Sequence, residues 1–523
     1  MTTFTKTPEG ETPSIDVSLQ RVVSDINPLM YGGFLEHMGR CIYGGIYDPD
    51  NQHGAVDENG FRTDVIAALQ ELEIPVIRYP GGNFVATYHW EDGVGPREQR
   101  PRRWDPAWKA EESNAFGTDE FMKFCEIVGT EPYLALNMGT GTLDEALNWL
   151  EYCNSDRNTY YANLRRNNGR EKPYNVKYWA LGNETWGPWQ VEEDTKENYA
   201  KRAYQWAKAL KLADPNIELI LCGKNGHDDW DRYVLQQCVD LIDMHSIHLY
   251  TYSHDFKENV TAPLSAERAI QITASLSELA LINNPTGGWR PNGYKPPSAP
   301  PKICFDEWNV YDDQQAPGDE GGEQAYNLSD ALGVAVWLNV FIRQSQHIGM
   351  ANLAQNVNVL SPLSTKRDGS PGLVRQTLWW PLLLFSKYMR GKTLGVHLRS
   401  STYEGSTFPS WIRKTTPTPW LDVSCAYDEA AGFINLAVVN IDDTRDIKTS
   451  LTLEHALPSG VTTNKQQDVQ VFTVGGGDID VKATNFDGVD RVGVVESTWT
   501  AAPRAEYTFP RHSLTLLRWS VKA

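Results

Sequence analysis

The sequence predicts an α/β architecture, a (β/α)8 TIM barrel followed by a C-terminal β-sandwich. Three observations carry that prediction. Eight short apolar runs lie between residues 29 and 358, most followed by helix-like or loop-rich segments. Near-continuous apolar runs alternating with helical patterns mark parallel strands covered by helices. Six of the eight runs end in polar or ionisable residues, and in barrels of this kind the C-terminal ends of the strands converge on one site. From about residue 390 the pattern changes to short β-type runs separated by Gly, Pro and Asp, which suits a sandwich.

In chain order the eight runs are "LMYGGFLEH" (29–37), "IPVIRYPGG" (74–82), "EPYLALNMG" (131–139), "VKYWALGNE" (176–184), "IELILCGK" (217–224), "LIDMHSIHLY" (241–250), "PKICFDEW" (301–308) and "MANLAQNVN" (350–358). Between them, "TDVIAALQELE" (63–73) and "YAKRAYQWAKALK" (199–211) repeat apolar residues at three- and four-residue intervals, the signature of helices with one buried face. An open doubly wound sheet would carry a G-x-G-x-x-G loop after its first strand, and "YGGFLEHMGR" has glycines without that spacing. The Pro- and Gly-rich "NNPTGGWRPNGYKPPSAPP" (283–301) reads as a long surface loop before the seventh strand. The sandwich is expected from "FINLAVVNI" (433–441), "DVQVFTV" (468–474) and "SLTLLRWSV" (513–521), and the N-terminal "SIDVSLQRVV" (14–23) alternates in the same way. The expected organisation is therefore residues 1–23 joining the sandwich, 24–388 as barrel and 389–523 as sandwich. A chain of 523 residues has room for both at roughly 100 to 200 residues per domain.

A net charge of -19 would repel a phosphate backbone, and the one basic stretch, "REQRPRR" (97–103), is short, so no nucleic-acid partner is expected. No apolar run approaches the roughly 18 residues that span a bilayer, so no membrane partner is expected either. The seven cysteines are scattered without a CxxC or His-rich cluster, and several sit in apolar runs, as buried free thiols do. "MTTFTKTPEG" has no basic start and no apolar core, so a cytoplasmic location is expected; a chain whose leader had been removed would read the same and be secreted. Asn259 and Asn327 begin N-x-[ST] sequons that secretion would make usable, and a homo-oligomer is left open.

The polar strand ends are Glu36-His37, Arg78, Asn183-Glu184, His248 with Tyr250, Asp306-Glu307, and Gln355 with Asn356. Hydrolysing a glycosidic bond with retention takes two carboxyl groups roughly 5 to 5.5 Å apart, one cycling between acid and base, the other attacking the anomeric carbon. Glu184 and Glu307 form the natural pair: closure of a barrel brings its fourth and seventh strand ends face to face, and both glutamates follow mostly apolar residues. Asn183 is placed to bond a sugar hydroxyl beside the scissile carbon. Arg78 is expected either to bond the nucleophile and hold it ionised, because a neighbouring cation lowers a carboxylate's pKa, or to form a structural salt bridge in the barrel bottom or wall. The acid must stay protonated, and burial beside Trp186 or Trp179 is expected to raise it. His245 and His248 stand three apart in a strand-like run and so point to opposite faces, which argues against a metal site. This chemistry calls for no cofactor and no metal. Asn183-Glu184-Thr185 also fits a glycan sequon, a match taken as accidental because a glycan there would block the site.

On these residues, and on "GGFLEHMGRCIYGGIYDP", "RYPGGNFVATYHWEDGVGPREQRPRR", "YWALGNETWGPWQ", "CFDEWNVY" and "LAQNVNVLSP", the chain resembles the α-L-arabinofuranosidases of glycoside hydrolase family 51 through nearly its whole length. The resemblance implies that Glu184 is the acid/base and Glu307 the nucleophile. It further implies that Glu36, Asn83 and Asn183 hydrogen-bond the arabinofuranose ring and that Gln355 reaches another hydroxyl. Tyr250, rather than Tyr252, would sit beside the nucleophile, with Arg78 and His248 supporting the pocket. Trp108, with Trp104 as the neighbouring alternative, would form an aromatic wall. The segments at 283–301 and "APGDEGGEQ" (316–324) look like insertions near the seventh strand. The implied activity is exo-acting release of terminal α-L-arabinofuranosyl residues from arabinoxylan, arabinan and related oligosaccharides, with retention. The alternatives are a β-xylosidase or endo-glucanase of the same clan, which would share the carboxylate pair, and a non-catalytic glycan-binding protein.

Overall fold

The computed structural model describes residues 2–284, 299–453 and 466–521. Its first layer is a closed barrel of eight parallel strands. In order these are Gly32–Phe34, Val76–Tyr79, Glu131–Ala135, Tyr178–Leu181, Glu218–Leu221, Met244–Thr251, Lys302–Val310 and Ile348–Leu353, the eighth pairing back onto the first. Each overlaps one of the apolar runs. The observed strands are mostly shorter than the runs, because the polar residues at the run ends leave the ladder and turn into the barrel mouth.

Alternation along each strand separates two apolar layers. Val76, Tyr133, Ala135, Tyr178, Ala180, Ile220, Met244, Cys304 and Met350 fill the barrel interior. Their neighbours Ile77, Leu134, Trp179, Leu181 and Leu221 face the surrounding helices. The two helices read from periodicity are present, at Thr63–Glu71 and Lys196–Ala213. Leu328–Arg343, between strands seven and eight, is buried at every position because it lies between the barrel and the second domain. Its Arg343 bonds Asp422 of the sheet at 2.9 Å and Glu267 of the barrel at 2.9 Å.

The second domain is a ten-stranded sheet that includes two N-terminal strands, Thr3–Lys6 and Ser14–Asp25, where the sequence suggested one. Ser14–Asp25 lies between Lys392–Ser400 and Ile447–Leu453. The strands at the two ends of the sheet, Val494–Ala501 and Arg504–Phe509, are separated by only Ala502 and Pro503, and their Trp499 and Tyr507 rings meet at 5.0 Å. The sheet thus curls into a sandwich around Ile15, Val17, Val396, Val423, Leu436, Val471 and Leu517. Residues of the opposite face, including Val439, Leu514 and Leu516, join the barrel core.

All seven cysteines are buried and unpaired. Among the described residues no helix is long and apolar enough to cross a membrane. The basic stretch is neutralised where it stands: Arg97 and Arg100 pair with Glu120, Arg102 with Glu111 and Arg103 with Asp92. The sequon at Asn259 is not usable in the folded chain, since its side chain is 1% exposed and its amide donates to Ser329 Oγ and Asp330 Oδ1. Asn327 caps the Leu328–Arg343 helix through the Asp330 N–H. Of the loop expected at 283–301, residues 285–298 lie outside the described residues.

Candidate active site

The mouth of the barrel holds a cleft of about 550 Å³, within the roughly 300–1,000 Å³ usual for small-ligand sites. Eight of the ten residues singled out in the sequence line it: Glu36, Asn83, Trp108, Glu184, His248, Tyr250, Glu307 and Gln355. The other two, Arg78 and Asn183, lie directly beneath at 1% and 2% exposure.

Glu184 follows the fourth strand through Gly182 at φ 86° and is itself at φ 41°, a left-handed conformation that costs a non-glycine residue about 1–3 kcal/mol. The surroundings hold it there. His248 Nδ1 lies 2.9 Å from Glu184 Oε1, and the Trp189 indole N–H donates to Oε2 at 3.0 Å. The indole bonded to the acid/base candidate is therefore that of Trp189, with Trp186 packed against it in the cleft and Trp179 on the other side of the strand. Trp179 alternates to the helix side of the strand and packs on Trp149, while Trp186 lines the cleft and donates to the Gly223 carbonyl. Successive turns, Gly187 N–H to Glu184 O and Gln190 N–H to Gly187 O, fold Trp189 back over Glu184.

Glu307 is 6% exposed and bonded on both oxygens. Arg78 Nη1 donates to Oε1 at 2.7 Å and the Tyr250 hydroxyl donates to Oε2 at 2.8 Å, whereas Tyr252 turns away to His254. Arg78 Nη2 donates to Asn183 Oδ1 at 2.6 Å, so one guanidinium ties together the ends of strands four and seven. Among the described residues the buried Asn183 amide N–H group has no partner, as a donor awaiting a sugar hydroxyl would be.

Burial pushes the Glu307 carboxyl above the usual range; His248 opposes it, Glu184 adds to it, and Arg78 pulls down. The expectation that Arg78 holds the nucleophile ionised is thus met in sign but not in net direction, because desolvation of a fully buried carboxylate outweighs the cation. For His248, burial alone would lower the pKa, but Glu307 and Asp306 outweigh it and raise it to about 10. Burial pushes Glu36 up to about 8 although the Phe84 and Trp108 N–H groups pull the other way.

Glu36 Oε1 accepts from Trp108 Nε1 and from Phe84 N, each at 3.0 Å, and Oε2 accepts from the Gln355 amide at 3.1 Å. Gly82 is required beside it: a Cβ there would stand 2.4 Å from Glu36 Oε2. Trp108, not Trp104, forms the wall, since Trp104 is 64% exposed on the hairpin that carries both. A Cβ at Gly318 would meet the Trp108 ring at 2.4 Å, and Lys109 pairs with Asp319, so the 316–324 segment backs that wall.

One carboxylate oxygen of Glu184, one of Glu307 and a His248 ring nitrogen all lie within 4.8 Å of one another. Such a trio has the spacing of cation ligands, yet Arg78 and His248 already place two protein cations against the acids. His245 points to the other face of its strand and bonds Asp231 at 2.9 Å, as its spacing predicted. Trp189, Tyr311 and Asp313 at the rim and the network under Asp306 belong to the site without a sequence pattern that marks them. Trp189 lies within the quoted "YWALGNETWGPWQ", but its position depends on a turn that carries no periodicity.

A (β/α)8 barrel whose fourth and seventh strands present two glutamates this close is the catalytic domain of a retaining glycoside hydrolase. Comparison with known proteins narrows the class. Residues 68–268 match the family description "Alpha-L-arabinofuranosidase 1 domain", and residues 306–513 match "Alpha-L-arabinofuranosidase C-terminal domain". The chain is 59% identical to α-L-arabinofuranosidase C of Emericella nidulans over 99% of this chain and 100% of that protein. It is 35% identical to the intracellular exo-α-(1→5)-L-arabinofuranosidase 1 of Bacillus subtilis, covering 82% of this chain and 85% of that one. The thermostable GH51 α-L-arabinofuranosidase of Thermotoga petrophila superposes with a TM-score of 0.85 at 37% identity, over 97% of this chain and 100% of that one. The chain belongs to the family 51 α-L-arabinofuranosidases. It is a glycosidase acting on arabinose-containing glycans, and nothing in the site or among these relatives favours a xylosidase, a glucanase or a non-catalytic binding protein.

Proposed function

We propose that the chain removes terminal α-L-arabinofuranosyl units from arabinoxylan, arabinan and their oligosaccharides by double displacement, with Glu184 as acid/base and Glu307 as nucleophile. The observation that carries this reading is the pair itself: one oxygen of each carboxylate within 4.8 Å of the other, with His248 against both, Trp189 on Glu184 and Arg78 and Tyr250 on Glu307. So close an approach of their nearest oxygens suits the closely spaced carboxyl pair of a retaining enzyme, roughly 5–5.5 Å apart, better than the roughly 6.5–9.5 Å of an inverting pair.

In the first step Glu307, aimed by Arg78 and Tyr250, attacks the anomeric carbon while Glu184 gives its proton to the departing glycosidic oxygen. In the second, water attacks that carbon, the bond to Glu307 breaks with its electron pair returning to the carboxylate, and Glu184 takes the water's proton. Glu36, Asn83, Asn183 and Gln355 are the groups placed to read the furanose hydroxyls, with Trp108 as wall. Both steps pass through an oxocarbenium-like transition state, and bonds to hydroxyls beside the reacting carbon strengthen there.

The test compares Glu307→Ala and Glu184→Ala. Loss of Glu307 abolishes turnover of 4-nitrophenyl α-L-arabinofuranoside. Loss of Glu184 spares that substrate far more than an arabino-oligosaccharide, because nitrophenolate leaves without protonation. Equal loss on both substrates in both variants contradicts the assigned roles.

A further inference from the structure

Beneath the two glutamates lies a carboxylate that the double displacement does not itself use. Asp306 is 1% exposed and precedes the nucleophile. Its Oδ1 accepts from His248 Nε2 at 3.1 Å and from the Ser246 hydroxyl; its Oδ2 accepts from the Tyr133 hydroxyl at 2.8 Å and stands 3.6 Å from Arg78 Nε. Asp306 therefore touches two arms of the site. One runs through Arg78 to the nucleophile, and the other through His248 to Glu184.

We propose that Asp306 is a positioning residue: acting through His248, it holds Glu184 in the orientation that lets it serve as base in the second step. This rests on the assignment of Glu184 and Glu307 above. With Nε2–H committed to Asp306, the imidazole cannot rotate, and its Nδ1 faces Glu184 at 2.9 Å. A doubly protonated ring then donates to the Glu184 carboxylate that the first step leaves behind and keeps it aimed at the incoming water.

The charged groups around His248 agree. Glu184 faces it from the end of strand four and Asp306 and Glu307 from strand seven, with the Arg78 guanidinium behind those two. Three acids against one imidazole favour its cationic form, and His248 is raised to about 10 accordingly, against the pull of burial. Arg78 and His248 in turn hold the Asp306 carboxyl well below the usual range, although burial alone would raise it. The pairing thus favours the ionised form of Asp306 and the charged form of the ring together.

Asp306→Asn keeps the shape and removes the charge. With 4-nitrophenyl α-L-arabinofuranoside, which needs no acid in the first step, the expected result is a fall in kcat of about 10- to 100-fold, part of the ~10²–10⁴ that general acid–base catalysis contributes. KM should fall in parallel, a burst of nitrophenolate should precede the slow phase, and azide, which needs no base, should restore kcat with formation of an arabinofuranosyl azide. His248→Asn, which keeps a donor near Nδ1 but cannot reach Asp306, should show the same signature, and adding Asp306→Asn to it should change kcat less than twofold. If Asp306→Asn fails to fold, His248→Asn alone carries the test.

The inference is overturned if Asp306→Asn lowers kcat and kcat/KM equally with no burst and no azide rescue. That outcome would mean that Asp306 serves the nucleophile through Arg78. It is equally overturned if His248→Asn shows no burst, or if the two substitutions add. Glu184→Ala is the control: azide rescue there with none in Asp306→Asn sinks this inference alone, and no rescue in Glu184→Ala sinks the assignment beneath it.

Discussion

Arg78 offers the sharpest perturbation, because one side chain joins the candidate nucleophile to the strand that carries the acid/base. It is 1% exposed, donates to Glu307 at 2.7 Å and Asn183 at 2.6 Å, and its guanidinium lies 4.6 Å from the Phe34 ring centroid. Arg78→Lys keeps the charge and loses the fork. Arg78→Met loses both, leaving Asp306 and Glu307 as buried acids with only His248 as a counter-charge. Removing one partner of a buried ion pair costs roughly 3–5 kcal/mol, so Met should lower unfolding stability by about that much and Lys by about half. Aiming the nucleophile rests on a charge-assisted bond of about 1.5–3 kcal/mol, which converts to about 10- to 100-fold in kcat/KM for either variant. The pH profile separates them. Glu307 attacks only when ionised, and Arg78 is among the groups that pull its carboxyl down, so its loss raises that pKa further. The acidic limb of kcat/KM for 4-nitrophenyl α-L-arabinofuranoside therefore moves to higher pH in Arg78→Met and stays near its place in Arg78→Lys. An Arg78→Lys enzyme within threefold of the parent, or an unmoved limb in Arg78→Met, would refute this reasoning.

Two further predictions use other contacts. Trp189→Phe removes the N–H donated to Glu184 Oε2, and because Trp189 is 55% exposed the bond is worth only about 1 kcal/mol. The expected loss is about fivefold in kcat/KM on arabino-oligosaccharides and under twofold on the nitrophenyl substrate, and a loss independent of leaving group counts against a role in acid catalysis. Glu36 is raised from 4.5 to about 8 by burial, so the native state holds a proton that the unfolded chain releases. That contribution is fully present below about pH 4.5 and is lost as pH rises towards 8. Glu36→Gln cannot ionise, so chemical denaturation should show its stability relative to the parent improving by about 1 kcal/mol or more between pH 5 and pH 8. A difference that does not change with pH contradicts it.

The barrel was legible because apolar runs and helical periods repeat along the chain, and all eight strands fall on the runs that announce them. The sandwich was less so. Strands such as Val494–Ala501 and Arg504–Phe509 leave most positions partly or fully exposed, so their sequences carry little apolar signal. Glu184, Glu307, Arg78, His248 and Tyr250 were readable because each ends or adjoins a strand, where barrel closure alone determines that they meet. Trp189 was not, because its place over Glu184 is set by two tight turns. Nor was Asp306's network, which depends on Tyr133 and Ser246 pointing into the barrel from two other strands. The net pKa direction at Glu307 required knowing how completely it is buried, and the failed sequon at Asn259 required knowing that its amide is spent on Ser329 and Asp330.

The central claim is that Glu307 attacks an arabinofuranosyl carbon and Glu184 serves both steps. The most direct measurement is to trap the covalent intermediate with a mechanism-based arabinofuranoside inhibitor, digest the protein and map the labelled peptide by mass spectrometry. One pentosyl label is expected, on Glu307 within "KICFDEWNV", absent from Glu307→Gln and still formed in Glu184→Ala. A label on Glu184 or Glu36, or none while hydrolysis continues, would contradict it.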